Sequence, residues 1–343
     1  MIYSGEFEII LSEYLNKDMA SKMGITLKEI ISLVKELPEG YFEEAFEKLT
    51  EVKVKADSEK SSQPKTCPHC GSQTIVRNGK RRGKQAYICN NCDKTFTETT
   101  GSAISNSHSS PSVWKQVIRD TVDGVSIDNT ALSLELHHET VFYMRHKILN
   151  CVEKHLQESL FLLEGVSEAD ETYVLESMKG TKIPEDYHRG PRKHGAKASK
   201  RGLSDEQICV CTSVNSEGEA MALSVNRAAP SKDELVEVFG PRIVEDTVIL
   251  CDGNKNYNVF EDDCTVAHVN RTNKVNALHS AIKRRLLAAC GVATKFLNRY
   301  CSLFSYVFGN AEDAVDKIFG LVTACDGSSA TNAEVESIGL LDI

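Results

Sequence analysis

Two cysteine knuckles constrain this chain more than any other feature. Cys67-Pro-His-Cys70 and Cys89-Asn-Asn-Cys92 are separated by eighteen residues, within the C-x2-C…C-x2-C spacing of a zinc ribbon. A tetrahedral Zn²⁺ takes four soft thiolates, and a two-residue spacer lets one tight turn deliver two of them. Between the knuckles stand Arg77, Lys80, Arg81, Arg82 and Lys84 with no acidic residue. A metal-stapled hairpin with a cationic tip has the form of a nucleic-acid-binding module.

The net charge of −9 over 343 residues is the wrong sign for a DNA binder, but it averages over segments of opposite character. Residues 1–63 carry thirteen acidic against eight basic residues, and residues 300–343 carry seven against one. The stretches 77–84, 179–201 and 271–299 are basic, and the last holds no Asp or Glu. Basic patches on an acidic chain read either as solvated surface or as a localised phosphate-contacting face. Beyond the ribbon, Cys151, Cys209, Cys211, Cys251, Cys264, Cys290, Cys301 and Cys325 lie among apolar neighbours. With no signal peptide and no apolar run of membrane-spanning length, they are expected to be buried free thiols in a reducing cytoplasm.

Residues 1–63 read as an acidic helical region and linker. Thr26-Leu-Lys-Glu29 has the form of a capping box, and Leu27, Ile30, Ile31, Val34 and Leu37 recur at helical spacing. The ribbon is expected over 64–100, and a helix-turn-helix over 108–157. Ser110 and Pro111 start its first helix, Gly124 stops it, and a short helix near 127–134 precedes a longer one at 138–155. On that third helix Val141, Met144, Ile148 and Val152 make the apolar stripe. His138, Thr140, Tyr143, Arg145, His146 and Lys147 are left for other faces. Either this is a recognition helix, its basic residues reaching phosphates, or it belongs to an ordinary three-helix packing unit.

From 160 to 310 the pattern is α/β. Strand-like segments at 166–174, 208–214, 220–226, 247–251 and 264–269 alternate with helical ones at 231–239 and 274–290, and Asn215-Ser-Glu-Gly218 reads as a hairpin turn. The order fits a mixed sheet of the ribonuclease H type. The chain is thus expected to be multidomain α+β: a zinc ribbon and helix-turn-helix, then an α/β core. The core carries a basic insertion at 176–206, rich in Lys, Arg and Gly, which reads as a DNA clamp or a solvated loop. Residues 311–343 follow as an acidic helix and tail.

Three polar positions in the core carry chemistry. Asp170 lies on the first strand of that order, Asp252 ends the fourth, and Asn276 opens the last helix. First and fourth strands are neighbours in such a sheet, so the two carboxylates meet and repel unless a cation such as Mg²⁺ sits between them. Asn276, His279 and Lys283 fall at i, i+3 and i+7, beside the buried stripe of Val275, Leu278, Ile282 and Leu286. On periodicity, Asn276 is equally a helix-starting residue or a metal ligand.

Taken in order, the paired knuckles, Val166-Ser-Glu-Ala-Asp-Glu-Thr-Tyr173, Cys251-Asp-Gly-Asn254, Val275-Asn-Ala-Leu-His-Ser-Ala-Ile-Lys283 and Gly291-Val-Ala-Thr-Lys-Phe-Leu297 resemble a family of bacterial insertion-sequence transposases. These join an N-terminal zinc ribbon to a ribonuclease H-like core, and the resemblance spans residues 26–306. It implies Asp170, Asp252 and Asn276 as the Mg²⁺- or Mn²⁺-binding triad, with Lys283, seven residues beyond Asn276, as an accessory. It implies double-stranded DNA as partner, both element ends and target, a homo-oligomer on DNA and a nucleoid-associated protein. Candidate DNA contacts are Arg77, Lys80, Arg81, Arg82, Lys84, Arg145, Lys147, Arg192, Lys193, His279, Lys283 and Arg284. An Asn ligand brings no negative charge, so metal affinity should be lower than with Glu. Glu261, Asp262 and Asp263 offer a third acid only from a loop, and Glu171 points to the opposite strand face from Asp170. A transposase-derived DNA-binding protein without catalysis is the competing reading. A zinc-ribbon transcription factor with a ligand-sensing domain leaves the acidic pair without a purpose.

Overall fold

In a computed structural model, the structure describes residues 66–81, 83–180, 183, 185, 187, 198–199 and 202–324. The acidic helices expected in 1–63, Arg82, Arg192 and Lys193, Cys325 and the tail lie outside the described residues. The chain divides into two compact units, 1–98 and 99–343.

In the first unit, strands β1 (Ile75–Arg81), β2 (Lys84–Cys89) and β3 (Thr95–Thr97) form an antiparallel sheet in that order. The hairpin places Arg81 opposite Lys84 and Arg77 opposite Tyr87. Its apolar core is little more than Tyr87 stacked on Phe96 at 5.7 Å, with Ile75 beside the sulfurs.

The second unit is a mixed α/β fold. Helices α1 (Pro111–Asp123), α2 (Ile127–Ser133) and α3 (His138–Glu158) precede a five-stranded sheet of β4 (Val166–Leu175), β5 (Gln207–Val214), β6 (Ala220–Arg227), β7 (Val248–Cys251) and β8 (Thr265–His268). Spatially the order is β6-β5-β4-β7-β8. The first three strands are antiparallel neighbours, whereas β7 and β8 run parallel to β4. First and fourth strands of the sheet are adjacent, as the sequence order implies. The Asn215–Gly218 turn forms with Gly218 at φ 86°, a conformation open to a residue without Cβ.

Both faces of the sheet are covered, so β5 reads as a near-continuous buried run. Ile208, Val210 and Val214 face a core shared with α5 (Asn273–Ala288), α6 (Leu297–Gly309) and α7 (Ala314–Thr323), while Cys209 and Cys211 face α4 (Lys232–Phe239), Tyr257 and Phe260.

Helix α1 begins as its sequence directs. The Ser110 hydroxyl accepts from the Val113 N–H, Pro111 occupies the first turn, and Gly124 ends the helix at φ 77°. A Cβ there would meet the Arg285 carbonyl of α5 at 3.4 Å, an ordinary contact, so it is the left-handed cap that calls for glycine.

The helical trio is not a separately packed domain. Trp114, Val117, Met144 and Ile148 share one core with Ile208, Leu278, Phe304 and Ile318. The C-terminal helix, read from sequence as an appendage without a task, closes this core through fully buried Ile318 and Val322. As a result α3 is enclosed along its middle. Arg145 is 1% exposed and His146 2%, and the helix is open at its two ends, His138 to Thr140 and Gln157 to Glu158. This corrects the expectation that Arg145 lies on a DNA-facing surface. Its guanidinium is turned inward and donates to the Thr130 hydroxyl at 3.3 Å. Lys147 is half-buried.

Cys151, Cys209, Cys211, Cys251 and Cys301 are buried free thiols as expected, but Cys264 is half-buried and Cys290 exposed. The basic insertion is pinned at its base. Arg227 pairs with buried Glu176 at 2.7 Å, and Glu206 accepts from the Ser199 N–H at 2.8 Å. Among the described residues no helix is long and apolar enough to cross a membrane.

Candidate active site

The register of the parallel strands β4 and β7 places the two acids. Val166 pairs with Val248, Ser167 with Ile249 and Glu168 with Leu250. Carried on by two residues, that register sets Asp170 beside Asp252, at about the 4.8 Å spacing of neighbouring strands. Asp252 is exposed just past the end of β7, where its carboxylate accepts from the Asn254 N–H at 3.1 Å. Its carbonyl accepts from His268 Nδ1 at 2.8 Å. Asp170 is more enclosed. Burial pushes its carboxyl up to about 6; the Glu171 N–H and the Lys283 charge work against this, and the Asp252 charge adds to it. Asp170, Asp252 and Lys283 therefore share one electrostatic neighbourhood.

Helix α5 is locked over this edge by a contact that sequence reading missed. Glu168, two residues before Asp170 on the same strand face, accepts from the Val275 N–H at 3.0 Å. It thereby satisfies one of the orphan donors of the first helical turn. Val275, Leu278 and Ile282 are buried beneath the helix. Asn276 and Lys283 are exposed and fall two turns apart, on one stripe. Asn276 lies between the Glu168 anchor and Lys283. Its Nδ2 donates to the Thr272 carbonyl and, at 3.2 Å, to the Thr272 hydroxyl. The amide nitrogen is thus committed to the helix start, which leaves Oδ1, the atom a hard cation takes, turned away from that bond.

His279 lies elsewhere than expected. It is 7% exposed, and Nε2 lies 2.7 Å from the Thr212 hydroxyl, which donates to the Asp170 carbonyl at 2.7 Å. Because that hydroxyl gives its proton to Asp170, its oxygen accepts, so the imidazole proton sits on Nε2. Burial, reinforced by Lys283, pulls His279 down to about 4 and keeps it neutral. The ring braces the Asp170 backbone instead of reaching outward, which corrects its assignment as a DNA contact. Thr212→Val should strand the His279 N–H and cost about 2 kcal/mol of stability in urea unfolding, with Thr212→Ser restoring most of it. An unchanged midpoint would mean that the bridge holds nothing.

Glu171 faces the other side, as strand alternation requires. Its carboxylate accepts from Asn254 Nδ2 at 3.2 and 3.3 Å, and burial raises its pKa. The Asp252 turn is therefore tied to β4 through the residue next to Asp170. Glu261, Asp262 and Asp263 remain exposed in the loop before β8.

A divalent cation fits the donor set at this edge, since among the described residues Lys283 is the charge that offsets the Asp170 carboxylate and its neighbour. The cost is testable without metal. The folded pKa of Asp170 lies above its ordinary value, so its charged form is less favourable folded than unfolded. Stability should rise as pH falls from about 7 through 6, where the folded protein takes up the proton. At pH 7 the shift of about two units corresponds to about 3 kcal/mol, which solvent screening of this partly open group reduces to about 1 kcal/mol. Asp170→Asn should raise the metal-free unfolding midpoint accordingly and abolish the stabilisation that Mg²⁺ gives the wild type. A lowered midpoint would contradict the strained pair.

In the ribbon the four sulfurs lie within 4.8 Å of one another. Cys67 and Cys92 are 3.7 Å apart, and Cys70 and Cys89 3.6 Å. Tetrahedral Zn²⁺ with bonds of about 2.3 Å sets sulfurs about 3.8 Å apart, so the cluster fits. The two knuckles repeat one geometry. Gly71 N–H donates to the Cys67 carbonyl and Asp93 N–H to that of Cys89, both at 2.9 Å. His69 N–H and Asn91 N–H each approach the first sulfur of their knuckle at 3.4 Å. Arg77, Lys80 and Arg81 are exposed on β1, and Lys84 is half-buried.

No protein-family profile matches the chain. It is 25% identical over 200 residues, 57% of its own length, to a protein described as uncharacterized in the transposable element ISH50 of Halobacterium salinarum; the match spans 65% of that relative. Two crystal structures, a pre-cleavage Mos1 transpososome and the Mos1 strand transfer complex, superpose with TM-scores of 0.25 and 0.26, at 10% and 11% identity. Each alignment covers 64% of this chain, and 79% and 78% of the respective structures. Agreement at that level bears on neither fold nor activity. In sequence, the chain is similar to a protein of a transposable element, the class of protein that its motifs resemble.

Proposed function

We propose that the protein is a DNA transposase with a ribonuclease H-type core, cleaving element ends and joining the freed 3′-hydroxyl to target DNA. The observation that carries this reading is the parallel β4–β7 register, which, carried two residues past Glu168–Leu250, brings Asp252 at the end of β7 next to Asp170 on β4, under a helix presenting Asn276 and Lys283. Asp170 and Asp252, with the Asn276 amide oxygen, would hold the divalent cation. When bound, Mg²⁺ or Mn²⁺ would stabilise charge developing on the transferred phosphoryl group. Lys283, exposed beside the acids, would hold a strand phosphate, and Arg284 extends that charge along the helix. Glu168 and the His279–Thr212 bridge fix helix and strand, so that the acids and the amide need little reorganisation. The similarity to a protein of a transposable element agrees with this reading.

The ribbon, through Arg77, Lys80, Arg81, Arg82 and Lys84, would bind DNA backbone with zinc as its structural metal, and the insertion with Arg192 and Lys193 would clamp the duplex. Cutting two ends together calls for more than one copy of the chain, so a homo-oligomer on DNA belongs to this reading.

A second reading, a DNA-binding derivative without catalysis, is favoured by one observation: the Asn276 amide is used as a helix-start bond. Incubating the full chain with Mg²⁺ or Mn²⁺ and DNA carrying the flanks of its own gene separates the two. Nicks at defined ends, followed by joined products, are expected. Salt-sensitive binding without nicks would replace the transposase reading with the second one. Asn276→Ala should lower cleavage by about 10²-fold or more, and Asn276→Asp should recover part of it, because the third donor is then charged. Full activity in Asn276→Ala would move the third ligand elsewhere.

A further inference from the structure

Away from the acidic pair, a cavity of about 450 Å³ opens between the start of α2, the first half of α3 and the segment that joins α5 to α6. Nothing in the proposed chemistry uses it, and its lining is unusual in two ways. One wall is aromatic. Phe142 and Phe296 flank His146, with ring centroids 4.4 and 4.2 Å from the imidazole. Among the other lining residues stand three cations. Arg145 is 1% exposed and pairs with no carboxylate among the described residues, and its Nε has no hydrogen-bond partner. Lys179 and Lys295 also line the cavity, Lys295 lying 5.0 Å from the Phe296 ring centre. The one acid in the lining, Asp128, is engaged by His138 at 3.5 Å.

A buried guanidinium without a counter-charge is costly, and so is a buried ring nitrogen without a partner, as at His146 Nδ1. Those two atoms are themselves closed off from solvent, so a ligand here answers the uncompensated charge: it carries an anionic group for Arg145, Lys179 and Lys295 and a flat polar ring for the aromatic wall. The volume lies within the range of small-ligand sites, about 300–1,000 Å³. We propose that this cavity is a nucleotide site, taking one planar base against Phe142, His146 and Phe296 and its phosphate against Arg145, Lys179 and Lys295. The nucleotide comes either from solution or from an unpaired position in a DNA strand; the second source rests on the proposed transposase reading.

Cys290 lines the cavity and is exposed, which provides a direct readout. The full chain is titrated calorimetrically with dAMP, deoxyadenosine and inorganic phosphate, and Cys290 alkylation is followed by peptide mapping. In parallel it is mixed with a duplex holding one unpaired 2-aminopurine and with its fully paired counterpart. The expected result is that dAMP, or the unpaired 2-aminopurine strand, slows Cys290 alkylation about fivefold or more. Deoxyadenosine and phosphate alone bind at least tenfold more weakly than dAMP. Lys295→Glu and Phe142→Ala, checked for native circular dichroism, each weaken the effect about tenfold, whereas Asp252→Ala leaves it intact. Protection by dAMP alone identifies a free nucleotide, and a response to the unpaired base alone identifies a strand-borne one. If neither probe protects Cys290, if phosphate binds as tightly as dAMP, or if both cavity variants behave as wild type, the assignment is wrong. Nucleotide binding without DNA cleavage in the wild type would count against the transposase reading and leave this one standing.

Discussion

Asp252→Ala is expected to abolish metal-dependent DNA cleavage while leaving DNA affinity and thermal stability close to wild type. Asp252 is exposed beyond the end of β7, and among the described residues its carboxylate supports the Asn254 N–H alone, at 3.1 Å. Its removal therefore costs about 1 kcal/mol or less of fold stability. The chemical loss is much larger, because one of the two charged donors proposed for the cation disappears. Withdrawing about 4 kcal/mol of charge stabilisation from the transferred phosphoryl group lowers the rate about 10³-fold. Asp252→Asn should fail similarly while keeping the acceptor for Asn254, which separates loss of charge from loss of the turn. The variant also carries a signature independent of activity. Asp252 is one of the two influences raising the Asp170 pKa to about 6, the larger being burial. Without it, the Asp170 titration followed by NMR should move down but stay above the ordinary carboxylate range. Full cleavage by Asp252→Ala would remove the acidic pair from the chemistry, and an unmoved Asp170 midpoint would show that the two carboxylates do not sense each other.

Much of this site was legible because its signals are local. The short apolar runs at 208–214 and 220–226, the Asn215–Gly218 turn, and Ser110-Pro111 with Gly124 each mark structure within a few residues. The adjacency of Asp170 and Asp252 followed from reading the strand order as a sheet of the ribonuclease H type, in which first and fourth strands are neighbours. What escaped the sequence is contact across long separations. Glu168 caps a helix 107 residues further on, and Thr212 meets His279 at a separation of 67, with no local pattern to announce either. The errors on α3 have the same origin. A stripe of Val141, Met144, Ile148 and Val152 predicts one buried face, and Arg145 and His146 fall beside it. Periodicity cannot reveal that α6 and α7 return to enclose the other faces. Buried charge is rare enough that the default reading of such an Arg is surface, and here the default fails. Where it fails, a cavity lies beside it.

Removal of zinc should unfold residues 66–98 and leave the unit from Thr99 onward intact. The ribbon has no means of its own to stay folded. Its core contains Tyr87, Phe96 and part of Ile75, and the other members are the ligand cysteines. Units of this size need a metal or crosslinks, because too little apolar surface is buried to offset the entropy of ordering the chain. Zinc binding at such sites supplies about 10–16 kcal/mol, so losing it exceeds any stability the hairpin has. Four thiolates without the ion would also repel one another across gaps of 3.6–3.7 Å. The larger unit owes nothing to zinc, for its two cores rest on Trp114, Ile208, Phe304 and Phe239. Chelation, or Cys89→Ser in the full chain, should therefore open the ribbon to proteolysis at Arg77–Lys84 at least tenfold faster. The main calorimetric transition should stay within about 2 °C. Because Arg77, Lys80 and Arg81 then lose the hairpin that holds them together, DNA binding should weaken and its dependence on salt should flatten, with fewer phosphates neutralised together. Unchanged protease resistance after chelation would mean that apolar packing holds the hairpin. An open ribbon with an unchanged salt slope would mean that these cations do not meet phosphate.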